Sequence, residues 1–144
     1  MTRTERLQPI VQHTDNKQQQ ALLELARSQE VVDQERAKLA QLKNYKVEYE
    51  KSRHLDNRVF SAMELQEFHR FLEQLDDTIS KQKQIIKLRK NQLEQKRQCW
   101  NETRIKSKVM HKVVDNLQQQ EFIEQEHKEQ KALDEFSQRV KIQS

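Results

Sequence analysis

Five histidines and one cysteine are the side chains here with the most chemistry to offer. His111 stands four residues before Asp115, one helical turn away, so that pair alone could share an ion; His127 has Lys131 at the same spacing and could not. Structural zinc takes four ligands and catalytic zinc three that converge. No such set is spaced for it, so the histidines read as surface residues of polar helices. Cys99 has no nearby histidine or helix N-terminus to make it a thiolate nucleophile. Being single, it forms no internal disulfide, which fits a reducing compartment. Carboxylates three or four residues apart recur along the chain and on a charged helix carry no catalytic information. No catalytic residue, metal or cofactor is expected, and the sequence does not read as an enzyme.

Composition supports that exclusion. The 144 residues contain no glycine, so a P-loop, a GxGxxG turn and a GxSxG elbow are all absent, since each needs glycine for close backbone approach or a strained turn. One proline and no glycine also argue against folds with many turns. Only 33% of residues are hydrophobic while 35% are charged, too little apolar matter for a compact core and well suited to long helices. No apolar run approaches the ~20 residues needed to cross a bilayer, and none of signal-peptide length follows the N-terminus. A cytoplasmic protein, at most peripheral to a membrane, is the expectation.

The elements follow from a seven-residue period. Stepping by seven from Leu65 gives Leu72, Ile79, Ile86, Leu93, Trp100, Ser107 and Val114, apolar at seven of eight positions. Three residues after each come Phe68, Leu75, Gln82, Arg89, Lys96, Thr103, Met110 and Leu117. A register held this long signals a coiled coil. The second row turns polar from Gln82 to Thr103, and Ile85, Leu88 and Cys99 on flanking positions are expected to widen the seam. A weaker stripe runs through Leu22, Leu25, Val32, Leu39, Leu42, Tyr45 and Tyr49. Pro9 belongs in a first helical turn or at a kink, so the first helix is expected to settle after it.

Periodicity fails over residues 51–60, where His54, Leu55, Asp56, Asn57 and Arg58 make the best turn. Ser61 and Glu64 then match a capping box. The reading is all-α, a long antiparallel two-helix coiled-coil hairpin with a C-terminal helical overhang. Its parts are an N-terminal helix over 1–50, a loop over 51–60, a paired helix over 61–110 and an extension over 111–144. A turn near Asp56 pairs residue 5 with roughly residue 107, giving a rod on the order of 70 Å. The extension keeps Val113, Leu117, Leu133, Phe136 and Val140 at helical spacing with nothing in the chain to cover them, which implies a partner.

Charge is uneven. Residues 81–112 hold eleven Lys or Arg against Glu94 and Glu102, a net of +9, and residues 115–135 hold seven acids against Lys128 and Lys131, a net of −5. A solvated helix face explains such blocks most simply. Nucleic-acid binding would exploit the basic block, but the aromatic interleaving and reading heads of such binders are missing. Aromatics gather elsewhere. Leu42, Tyr45 and Tyr49 share one stripe, and Phe71, Leu75, Thr78 and Gln82 another, both near the turn. They form either a wider core at the hairpin tip or a docking patch, since aromatics with few charges are typical of interface centres.

These residues resemble the FliJ family of flagellar type III export proteins over nearly the whole length. The resemblance rests on Asn44-Tyr45-Lys46-Val47-Glu48-Tyr49 before the loop, Phe71-Leu72-Glu73-Gln74-Leu75 after it, Trp100 in mid-helix, and Lys131 to Arg139 in the tail. It implies a stalk-like coiled coil that inserts into a hexameric export ATPase ring, contacts a membrane export gate of the FlhA type and handles export chaperones, without a cofactor of its own. By local matching the gate-binding stripe falls on Lys38, Leu42, Tyr45 and Tyr49, then Phe71, Leu75, Thr78 and Gln82; Lys38 and Gln82 depart from the family's residue types. The overhang, with Leu133, Phe136 and Arg139, would meet the ATPase ring. The resemblance also implies a role in flagellum biogenesis and chemotaxis, at the inner face of the cell membrane. Membrane association is expected only through partners, since the bulky apolar residues opposite the lysines fall on the seam. Injectisome stalk proteins share this architecture, and a coiled-coil scaffold or dimeriser is the alternative from another class.

Overall fold

A computed structural model describes residues 2–56 and 58–143. Two helices make up nearly all of it, α1 (Arg3–Leu55) and α2 (Ala62–Gln143), with no strand among the described residues. Glutamine, glutamate, lysine, arginine, leucine and alanine fill both, and all are good helix formers. The expectation that Pro9 delays the first helix is corrected, because α1 starts at Arg3 and carries Pro9 inside it. A capping box starts it. The Thr2 hydroxyl accepts the Glu5 N–H at 3.2 Å and the Glu5 carboxylate accepts the Thr2 N–H at 3.3 Å. With the first turn fixed this way, the helix tolerates the one N–H that proline lacks.

At its other end α1 runs on to Leu55 rather than stopping near Tyr49. Arg53 explains part of this, since its guanidinium lies 3.6 Å from the centre of the Phe68 ring on α2. Arg53 and His54 also suit the negative end of a helix dipole. The chain then turns: Asp56 N–H bonds the Arg53 carbonyl at 3.2 Å, and the Asp56 carboxylate accepts the Arg58 N–H at 3.1 Å. Asn57, the centre of the expected turn, lies outside the described residues. Ser61 caps α2 by accepting the Glu64 N–H at 3.2 Å, while the Glu64 carboxylate reaches the Arg58 guanidinium at 3.3 Å.

The chain divides into two units, each built from a stretch of α1 and a stretch of α2. In the unit Ala21–Trp100 the core is Ala21 and Val32 against Leu75, Ile79, Ile86 and Leu93, with Val32 at 0% exposure. Full burial of such a side chain contributes about 1.5–3 kcal/mol. The thin part of the seam is not widened by Ile85, Leu88 and Cys99, which are exposed. Polar pairs across the helices complete it instead. The buried Gln82 amide donates to the Glu35 carbonyl at 3.0 Å and to its carboxylate at 2.5 Å. Lys96 reaches Glu24 at 3.2 Å, and Lys46 reaches Asp76 at 2.6 Å.

The other unit joins Met1–Gln20 to Asn101–Ser144. Val11 and Val114 are buried there, and Ser107, also buried, donates to the Asp15 carboxylate at 2.6 Å. Buried Thr4 gives both its N–H and its hydroxyl to Glu121, at 3.2 and 3.0 Å. Residues near the start of α1 therefore meet residues near 121, not near 107. The physical reason is the longer α1: the chain turns after Leu55, and the first turn of α2 passes before pairing begins at Phe68. His111, Val114, Leu117 and Glu121 pack or bond within this unit, Glu124 reaches Arg3 at 3.9 Å, and residues 122–143 are exposed throughout.

Two measurements check this packing. Val32→Ala should cost about 1–2.5 kcal/mol in urea unfolding, whereas Leu22→Ala, at a 48% exposed position, should stay within about 0.5 kcal/mol. The second is pH. Asp15 is held below its ordinary value, first by the Ser107 hydroxyl and then by His111, and Glu35 is lowered first by the Gln82 amide. A carboxyl whose folded value is depressed stabilises the fold fully above its unfolded value and loses that contribution as pH falls through the folded one. The thermal midpoint should therefore drop as pH is lowered through and below about 4. Gln82→Ala should flatten part of that drop; an unchanged slope would remove Glu35 as its source.

Candidate docking surface

Antiparallel pairing leaves two flanks beside the seam, and the aromatic residues occupy one of them. Tyr45 and Phe71 each stand one residue before a seam position, Lys46 and Leu72, and so reach the same side. Their rings meet edge to face at 6.1 Å. Behind them Tyr49 is stacked on Phe68 at 5.2 Å and tilted against Phe71 at 4.6 Å. Tyr45 is 51% exposed, while Tyr49, Phe68 and Phe71 are half-buried. The result is a rigid aromatic surface open to water on one side, beside an open groove of about 530 Å³.

Cations close the groove. Arg53 lies over Phe68 and, at 4.8 Å, over Phe60; Arg58 lies over Phe60 at 5.1 Å. Such cation–π contacts contribute about 0.5–1 kcal/mol at exposed sites. Lys46 is held above its ordinary value, first by its hydrogen bond to Asp76, which keeps a charged pair across the seam next to the aromatic stretch. Arg53, Phe60 and Phe68 complete the surface, yet the sequence reading left them out of the patch. Heptad spacing gave Phe68 only a seam role, and nothing periodic marks an arginine folded back over a ring. The signal available was the cluster of three phenylalanines and two arginines around one turn.

The residues expected to form one stripe divide. Leu42 and Tyr49 are half-buried, and Lys38 and Thr78 are exposed. Thr78 donates its hydroxyl to the Gln74 carbonyl at 2.9 Å, and Lys38 bonds Glu35 at 3.4 Å. Leu75 and Gln82 are buried in the seam, and Gln82 is committed to Glu35. In the tail, Leu133 and Phe136 are 65% and 66% exposed and Arg139 is exposed; Phe122 and Ile123, not singled out by the sequence, are exposed as well. His111 pairs across the helices with Asp15 at 2.9 Å rather than along its own helix with Asp115. Among the described residues no group of three potential ligands converges on a metal position, and no helix is long and apolar enough to cross a membrane.

The fold is thus a coiled-coil hairpin that carries an aromatic surface beside its turn. The family described as Flagellar FliJ protein matches residues 3–144, essentially the whole chain. The chain therefore belongs to the FliJ family and is a protein of flagellar export. No curated protein and no solved structure gives a match.

Substitutions separate the surface from its support. Tyr45→Ala should leave urea stability within about 1 kcal/mol of the parent. Phe68→Ala, which removes the ring under Tyr49 and Arg53, should cost about 1–3 kcal/mol. Equal losses would make Tyr45 a core residue.

Proposed function

We propose that this chain is a stalk-like coupler, joining the flagellar export ATPase ring to the membrane export gate and handling export chaperones. Its part is mechanical, with no catalytic residue, metal or cofactor of its own. The observation that supports this best is Tyr45, half in water yet held against Phe71 by the Tyr49 and Phe68 rings behind it. A ring kept rigid and exposed loses little entropy on binding, which suits an interface anchor. Leu42, Tyr45, Tyr49, Phe71 and Thr78 are the proposed gate contacts. Leu75 and Gln82 act from within the seam, by fixing where the others stand. Leu133, Phe136 and Arg139 are proposed for the ATPase ring, on a helix face that packs on nothing in its own unit. The protein works in the cytoplasm, at the inner face of the cell membrane.

The test is a pull-down of the full chain against the ATPase hexamer and, separately, the cytoplasmic part of the gate protein. A copy ending after Glu124 keeps the residues that pair with α1 and should lose the ATPase while keeping the gate. Tyr45→Ala should do the reverse, weakening gate binding about tenfold or more, as interface aromatics do. If both variants bound both partners like the parent, a plain scaffold would be the better reading.

A further inference from the structure

The second flank of the seam carries different chemistry. Glu35 and Gln82 are bonded to each other across the helices, so Arg36 and Lys83, next in sequence, come to the same side. Along α2, Lys83, Lys87 and Lys90 step by four and three, each one residue after a seam position. All four cations are exposed, and among the described residues none forms an ion pair. Of the carboxylates on this side, Glu94 holds Arg97 at 3.1 Å and Asp76 holds Lys46 at 2.6 Å, which leaves Asp33 and Glu73 against the four cations. Residues beside a coiled-coil seam usually alternate in sign, and like charges one turn apart are destabilising. Among the described residues the cations on this side still outnumber the unpaired carboxylates. We infer that the flank is a docking surface for an anionic partner, the headgroup plane of a bilayer containing acidic phospholipids.

Shape and composition favour lipid over other polyanions. The cations lie in line along one side of a helix pair, which matches a plane better than a pocket. No aromatic ring stands among them, whereas binders of single-stranded nucleic acid use rings as stacking platforms. Clusters of four to eight Lys or Arg are drawn to anionic leaflets, with an attraction that fades within about 10 Å in salt. Leu22 and Val47, each 48% exposed, stand one residue after the seam positions Ala21 and Lys46 and so bracket the cations on the same side. Side chains of that length enter the interfacial layer without crossing it. This contact does not depend on the export reading.

Co-sedimentation of the full chain with vesicles tests it, using phosphatidylcholine alone against an equal mixture with phosphatidylglycerol. The chain should pellet with the mixed vesicles at low salt, not with the neutral ones, and be released at high salt. Lys83→Glu, Lys87→Glu and Lys90→Glu together should weaken that binding about tenfold or more. The same change at Lys106, Lys108 and Lys112 alters net charge equally and should cost less than about threefold. Circular dichroism checks both triples for helix, and Lys87→Gln alone, too mild to unfold the chain, should still give a loss of about twofold or more. Three results would overturn the inference: no binding to mixed vesicles at low salt, equal losses in the two triples, or displacement of the chain from vesicles by DNA at matched phosphate.

Discussion

A buried amide with both its donors on one facing residue fixes how the helices slide against each other. Gln82 reaches the carbonyl and the carboxylate of Glu35 and nothing else of its kind lies a heptad away, where α1 offers Ser28 and Leu42. Slipping by seven residues would still offer the amide a backbone carbonyl but would lose its charge-assisted bond to the Glu35 carboxylate. The apolar seam alone would resist such a slip weakly, because Ile79, Ile86 and Leu93 are interchangeable in shape and spacing. Lys46 with Asp76 and Lys96 with Glu24 agree with the same alignment. Which residues face one another on either flank follows from it.

Each flank then has its own character because position relative to the seam decides company. One residue before the seam come Tyr45 and Phe71, which find each other and the rings of Tyr49 and Phe68. One residue after it come Arg36, Lys83, Lys87 and Lys90, which form no ion pair among the described residues.

The fold was legible because α2 repeats an apolar residue every seven positions from Leu65 to Val114, apart from Ser107. The partner seam on α1 was mostly illegible. Its buried and half-buried positions are filled by Thr4, Thr14, Gln18, Ser28, Glu35, Lys46 and Arg53 as well as by apolar residues. A search for hydrophobic spacing therefore admitted Leu22 and Tyr45, which lie outside the seam, and missed the polar members. Pairing register was beyond reach for a related reason. It depends on where α1 ends, and that end is held in part by a contact from Arg53 to a ring fifteen places further on, on another helix. The tyrosine and phenylalanine stripes were legible as a patch, whereas the arginines over the rings were not.

Glu121 ties a helix start to a distant stretch of the other helix. Thr4 belongs to the first helical turn of α1, whose N–H groups have no acceptor within the helix, and its N–H and hydroxyl both go to a carboxylate 117 residues away. Pro9 removes a further bond from the same stretch. The start of α1 is therefore ordered by the far helix as well as by its own cap.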